Sequence, residues 1–409
     1  MINVAVIGVT GFGHVHYLDI MREVDNGNFC VKGAVIINPD EAGEQIEKLQ
    51  VNGALIFDDY QKMLDTLAGQ IDICFIPTSI HWHAKMAIAA MQSGANVYLE
   101  KPAAATVQEI RAMQQVEKET GKWVAVGFQS MYTADMMAMK KAIVNDDLGE
   151  VTSIKFTARW PRRDSYYSRN NWAGKLKSAN GSWILDSPFN NAVAHQVNAI
   201  AFLAGNELWK TAKLTNIIAE MYRARDIESA DTACARILSE DGKKLYFSLT
   251  HACEDNYHPH LEVIGSKGII KWDIFGEMHI KSAVLDIKMP AQDGENCRVS
   301  VTNALINKIN GENQFICGLD IAIAHTIIVN GIHESAKIVN IPKESISELY
   351  DENNDRLCVI KNIAKIMDGT FDDMKLFSEV GVIWAKPGKI VDLAEYESNN
   401  AEFPRGELF

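Results

Sequence analysis

Apolar positions in the first third of the chain come as short unbroken runs. INVAVIG (2–8), VKGAVII (31–37), GALIF (53–57), IDICFIP (71–77), VYL (97–99) and WVAVGF (123–128) each lack a polar face. Runs of this kind suit strands buried on both sides of a parallel sheet. Between them polar and apolar residues mix at helical spacing. One such stretch runs to about Val24, and a second is DEAGEQIEKLQ (40–50). DDYQKMLDTL follows with Asp58 or Asp59 as cap, then AKMAIAAMQSG, which Gly94 ends as a left-handed cap. Thr106-Val-Gln-Glu109 is a capping box that opens one more helix, ended near Gly121. Six strands alternating with helices predict an α/β Rossmann domain, a doubly wound parallel sheet.

Beyond about residue 150 the rhythm changes. VTSIKFTARW (151–160), DTACARILSE (231–240), KKLYFSLTHA (243–252), HLEVIGSKGIIKWDIF (260–275) and MHIKSAVLDIKM (278–289) are long and strand-like, with Gly265 to Gly268 as a hairpin signal. They predict an α+β C-terminal domain with a large, mostly antiparallel sheet. Helix-like segments lie at 190–204, 315–336 and 356–367. The expected division is a nucleotide-binding domain at 1–128 and a substrate-binding and oligomerisation domain at 129–409. The last dozen residues, SNNAEFPRGELF, read as a surface tail or an oligomer contact.

Composition narrows the function classes. The 409 residues are 47% hydrophobic and 23% charged, as in an ordinary globular protein. A net charge of −13 offers nucleic acid and anionic membranes nothing to bind. Seven scattered cysteines without a C-x-x-C pair fit a reducing compartment and no zinc ribbon. No basic and apolar leader follows Met1, and no apolar run approaches a membrane span, so a cytoplasmic location is expected.

The candidate chemistry starts in the first strand-to-helix turn, GVTGFGHVH (8–16). A G-x-G-x-x-G fingerprint would place glycines at 8, 10 and 13; position 10 is Thr, with Gly11 beside it. Gly8, Thr10, Gly11, Phe12 and Gly13 are therefore the candidate pyrophosphate cradle, at the N-terminus of a helix. The second strand ends at Asn38, where the residue that reads the adenosine ribose belongs. Asp40, Glu41 and Glu44 cluster beyond it, and their charge would repel a 2′-phosphate, so NAD is favoured over NADP. In NVYLEKP (96–102), Pro102 biases Lys101 to an extended or turn conformation just past a strand end. That edge of an open α/β sheet is where ligands bind.

Taken together, GVTGFGHVH, IPTSIHWHAKMAIAAMQSGANVYLEKP (76–102), VGFQ (126–129), LGEV (148–151) and LDSPFNNAVAHQVNAIAFLAG (185–205) resemble the glucose–fructose oxidoreductase / inositol dehydrogenase (Gfo/Idh/MocA) family. The resemblance implies that the EKP lysine sits by the nicotinamide and that an acid and a histidine of the second domain complete the site. On this chain those are Lys101, Asp186 and His195. Pro77, His83 and Glu100 are implied as further cofactor neighbours, with a helix-cap or packing role as the alternative for His83. One departure stands out: the family's acid and histidine lie four residues apart, whereas Asp186 and His195 are nine apart. His195 keeps the family's distance to the helix-ending Gly205, while Asn190 or Asn191 remains an alternative to Asp186 at the substrate.

ARWPRRDSYYSRNNWAG (158–174) packs aromatics with arginines. It reads equally as a sugar-contacting loop, with Arg163 and Trp172 at the substrate, or as an oligomer contact. HACEDNYHPH (251–260) matches no standard zinc spacing, so no metal is expected. The expected function is an NAD-dependent dehydrogenase or reductase of a sugar, cyclitol or related polyol, working as a homodimer or homotetramer through the C-terminal sheet. The alternatives are an enzyme that cleaves glycosides by transient oxidation with retained NAD, and a non-catalytic sugar sensor.

Overall fold

The unbroken apolar runs form a six-stranded sheet in the computed structural model, which describes residues 1–292, 294–398, 401–406 and 408. Strands β1 (Ile2–Ile7), β2 (Phe29–Val35), β3 (Leu55–Phe57), β4 (Ile73–Ile76), β5 (Asn96–Leu99) and β6 (Val124–Val126) lie in the order β3-β2-β1-β4-β5-β6. Every neighbouring pair is parallel. Helices α1 (Gly13–Asp25), α2 (Gly43–Val51), α3 (Tyr60–Thr66), α4 (Ile80–Gln92) and α5 (Val107–Thr120) make the connections. All residues of β4, β5 and β6 are buried, which is why their sequences show no polar alternation. The strand order reverses between β1 and β4, the switch point at which ligands enter such sheets. Asp59, not Asp58, caps α3 by accepting the Lys62 N–H at 2.9 Å. Gly94 follows α4 with φ +99°.

The chain divides into two compact units. The first comprises Met1–Ala104, Gln108–Thr133 and Gly294–Ile323; the second comprises Ala105–Val107, Ala134–Asp293 and Ala324–Phe409. In the second unit α6 (Ala134–Val144), β7 (Val151–Arg159), α7 (Asp164–Ser168) and α8 (Ala194–Ala204) come first. Then follow β8 (Leu214–Arg223), β9 (Thr232–Ser239), β10 (Lys244–Thr250), β11 (Tyr257–Gly265), β12 (Gly268–Asp273), β13 (Glu277–Ser282) and β14 (Asp286–Pro290). Their sheet runs β14-β13-β12-β11-β7-β10-β9-β8-β15, where β15 is Ile338–Asn340. It is mixed but mostly antiparallel, since only β7–β10 and β8–β15 pair in parallel.

Helix α9 (Gly294–Ile309) belongs with the first unit, although the sequence division placed residues 129–409 together. Its Val301 and Leu305 are buried in one cluster with Val4, Val6 and Phe75 of the parallel sheet, and Arg298 pairs with Asp19 of α1 at 3.0 Å. The helical spacing of Cys297, Val301, Ala304 and Leu305 carried that signal. After it come α10 (Leu319–Ser335), β16 (Ile346–Tyr350), β17 (Arg356–Ile360), α11 (Ile363–Phe371), β18 (Val391–Asp392) and α12 (Ala394–Glu397). Residues 356–360, expected to be helical, form a strand because they pair with β16, and Asn362 at φ +61° separates them from α11.

Both faces of β7 are covered. Lys155 and Arg159 point toward α11, where Arg159 meets Asp368 at 2.7 Å, while α8 packs on the same strand from the other side. A second core cluster of Tyr222, Cys234, Ile360, Ile363, Met367, Phe377 and Trp384 seals α11 in place. At β7 and β10 one face of this sheet is occupied by the chain's own α11. In the tail Phe403 is buried and Arg405 pairs with Glu334 of α10 at 2.6 Å; residues 399, 400, 407 and 409 lie outside the described residues. Among the described residues no helix is long and apolar enough to cross a membrane.

Candidate active site

In the first unit the candidate cofactor residues gather at the carboxyl edge of the parallel sheet. Gly8 and Gly11 adopt φ +99° and +57°, and the space beside their α-carbons is open. Gly13 is required for another reason: a β-carbon there would stand 2.6 Å from the Gly8 carbonyl oxygen. Its N–H donates to Thr10 O at 2.9 Å and begins α1, whose first turn holds no acidic residue. Open backbone and a helix N-terminus whose own first turn carries no acid fit the pyrophosphate of a dinucleotide. Phe12 is 55% exposed on this turn, and Pro77 lies 3.6 Å from where a Gly13 β-carbon would be. Asn38 is exposed after β2, with Asp40 and Glu41 in the short turn that follows.

The EKP motif splits into two roles. Glu100 is buried; its carboxylate meets His16 Nε2 of α1 at 2.9 Å and accepts the Lys101 N–H at 3.0 Å. It ties α1 to the end of β5, a partnership the sequence reading missed although His16 lies in the fingerprint itself. Lys101 is half-buried beyond that anchor, and the Lys101–Pro102 bond is cis. His83, expected beside the cofactor, is 1% exposed, with Nδ1 2.8 Å from Pro102 O and Nε2 2.9 Å from Thr78 O. The ring therefore ties the β4–α4 loop to the EKP loop. Burial pulls its pKa down, which disfavours the cation that two carbonyl partners invite.

In the second unit the polar candidates sit in the loop that enters α8. Asp186 is 2% exposed and accepts the Gly174 N–H at 2.6 Å and Asn191 Nδ2 at 2.9 Å. Leu185, just before it, is held at φ +55°. Asn190, a substrate candidate from sequence, is buried and donates to the Ile184 and Leu185 carbonyls at 3.0 and 3.1 Å, so its amide staples the turn. Asn191 is half-buried beside Asp186, and His195 is half-buried in the first turn of α8. Tyr166, not singled out from sequence, belongs to this group: burial first and then the Asp186 charge push its hydroxyl pKa up.

Arg163 points elsewhere, donating to Asp355 O at 2.7 Å. The aromatic–arginine stretch stacks largely on itself, with Arg169 lying 3.7 Å over the Tyr166 ring and 5.3 Å over that of Trp172. The histidines of 251–260 find separate partners: His251 meets Tyr167, His258 meets Trp160, and His260 meets Asp273.

Comparison with known proteins agrees with this architecture. The chain is 24% identical over 203 residues to an inositol 2-dehydrogenase of Rhizobium meliloti, covering 50% of this chain and 57% of that protein. An inositol 2-dehydrogenase of Azotobacter vinelandii is 21% identical over 276 residues, covering 66% and 73%. The fold is shared with the WlbA dehydrogenase of Bordetella pertussis in complex with NADH and UDP-GlcNAcA (TM-score 0.65, 20% identity, 81% of this chain and 95% of that one). It is also shared with levoglucosan dehydrogenase in complex with NADH and levoglucosan (TM-score 0.66, 18% identity, 81% and 95%). The oxidoreductase family with an NAD-binding Rossmann fold matches residues 2–128, and the GFO/IDH/MocA C-terminal domain matches residues 136–271. With both of its domains matched over more than half of its length, the chain belongs to the GFO/IDH/MocA family of NAD-binding oxidoreductases.

Proposed function

We propose that this protein is an NAD-dependent dehydrogenase of a cyclitol, sugar or related polyol, oxidising a carbinol carbon or reducing the matching ketone. The observation that carries the reading is Lys101, set at the carboxyl edge of the parallel sheet by the buried Glu100 anchor. Relatives named inositol 2-dehydrogenase support the substrate class. The nicotinamide, when bound, supplies the hydride acceptor. Lys101 then stabilises negative charge developing on the substrate oxygen. His195, in the first turn of α8, takes the hydroxyl proton. Asp186 holds the substrate loop through Gly174 and Asn191. A panel of cyclitols, sugars and polyols followed by NADH absorbance, with the cofactor of the purified protein identified by mass spectrometry, tests the reading. NADH formation on at least one cyclitol or sugar is expected. No turnover on any member with NAD or NADP, or glycoside cleavage with NAD retained unchanged, would overturn it.

A further inference from the structure

His16 stands in the first turn of α1, just past the glycines of the cofactor turn, yet its side chain is 2% exposed. The imidazole lies among three other rings. Tyr98 of β5 is tilted against it at 5.3 Å, Phe75 of β4 meets it edge-on at 6.4 Å, and Phe12 of the cofactor turn meets it edge-on at 5.9 Å. So confined, the ring has little freedom, and Nε2 is set 2.9 Å from Glu100 Oε1. A carboxylate only accepts, so Nε2 carries the proton and donates it. The second oxygen, Oε2, accepts the Lys101 N–H at 3.0 Å. One buried carboxylate therefore joins a side chain of α1 to the backbone of Lys101.

The space around that carboxylate is equally particular. Gly127 follows β6 and donates its N–H to Leu99 O at 2.7 Å. Its φ lies outside the left-handed region, so the backbone does not require glycine there. Room does: a β-carbon would stand 3.0 Å from Glu100 Oε1 and 3.3 Å from the Tyr98 hydroxyl oxygen. We propose that His16 is a positioning residue for hydride transfer. It fixes the Glu100 carboxylate, the carboxylate fixes the Lys101 backbone, and Gly127 leaves the room for it. A misplacement of about 1 Å outside the reacting groups can cost about 10²-fold in rate, so a residue that never touches substrate can matter through Lys101. The role rests on the reading of Lys101 as the residue that stabilises the substrate oxygen, whereas the link itself is measured without turnover. A packing role would be met by any side chain of similar bulk; the proposed role needs an N–H in the place of Nε2.

The test compares His16→Leu, His16→Gln and Gly127→Ala with the wild type in the full-length protein. Amide hydrogen exchange by mass spectrometry, on the peptide spanning Glu100 to Ala103, reads the link. NADH calorimetry reads the cofactor turn, and kcat and KM on an active member of the cyclitol and sugar panel read the consequence. His16→Leu is expected to speed that exchange about tenfold and to lower kcat about tenfold, with KM and NADH affinity within about threefold. His16→Gln, whose amide donates from the place of Nε2, should keep exchange and kcat within about threefold of the wild type. Gly127→Ala should behave as His16→Leu does, and the double variant should lose no more than the worse single one, since both act on one carboxylate. If His16→Leu does not fold, Gly127→Ala and His16→Gln decide. Unchanged exchange in His16→Leu, or in Gly127→Ala where that decides, overturns the link. Equal losses in His16→Leu and His16→Gln overturn the need for a donor. Faster exchange with normal kcat overturns the positioning role. A wild type that turns over no panel member fails the hydride-transfer reading instead, and the exchange contrast still decides the link.

Discussion

The two units spend their polar groups in opposite ways. In the first, the candidate cofactor site is mostly backbone: Gly8 and Gly11 at positive φ, Gly13 pressed against Gly8, and the open N-terminus of α1. One side-chain pair, Glu100 with His16, fixes that geometry, and Lys101 is left half-buried beyond it. In the second, the candidates are side chains on a loop, and much of their capacity goes into the loop itself. Asn190 holds two carbonyls, and Asp186 accepts from Gly174 and Asn191. A backbone site needs particular residues for steric reasons and so leaves a motif. A side-chain loop leaves only a list of polar residues whose roles depend on which neighbour each one reaches.

The largest effect should come from separating anchor and charge in EKP. Lys101→Ala is expected to lower turnover ~10²-fold or more, while NADH affinity by calorimetry stays within about threefold, since Glu100 rather than Lys101 holds the turn. Normal turnover would reduce Lys101 to a structural residue and erase the contrast. On the second unit's side, His195→Asn should cost about 10²-fold in oxidation and flatten the ascending limb of the pH–rate profile. Asp186→Asn should instead raise KM and lower the melting temperature, because it loosens the Gly174 and Asn191 contacts. If Asp186→Asn alone abolishes that limb, the aspartate is the base.

Glycine substitutions sharpen the comparison from the backbone side. Gly13→Ala must move the Gly8 carbonyl and should cost about 2 kcal/mol in urea unfolding and weaken NADH binding. Gly11→Ala has open space but keeps a positive φ, so about 1 kcal/mol is expected. Cofactor choice should follow the acidic turn after Asn38: NAD is expected to bind about tenfold more tightly than NADP, and Asn38→Asp to widen the gap. Equal affinities in a fluorescence titration would refute this.

The smallest effect tests the ion pairs of the second unit. A hydrogen bond from His260, then Lys155 and Lys271, hold the Glu262 carboxyl down to about 2 in spite of burial. A carboxyl lowered in the folded state stabilises it above the ordinary carboxylate range, and that gain is lost as pH falls through the folded value. Glu262→Gln should therefore be about 1 kcal/mol less stable than the wild type near neutral pH. The difference should close as the pH is lowered from 4.5 to about 2. A gap that stays constant over that range would assign the effect to packing.

The sequence by itself determined the parallel sheet, its connections and the nucleotide turn. Each depends on information within a few residues: unbroken apolar runs, a cap such as Asp59, and glycines where a β-carbon collides or φ is positive. The same kind of signal was present but unread in α9, and in β8, where buried Ile217, Ala219 and Met221 alternate along the strand. Tertiary structure alone decided the rest. It brought α9 back to the first unit, laid α11 over β7, and turned Glu100 toward His16 and Arg163 toward Asp355. It also buried Lys140, whose ammonium donates to the Gly205 and Lys210 carbonyls at 2.6 and 3.0 Å. The physical reason is range. Backbone sterics and periodicity act between near neighbours, whereas the partner of a polar side chain is chosen among groups tens to hundreds of residues away, by differences of only about 1 kcal/mol.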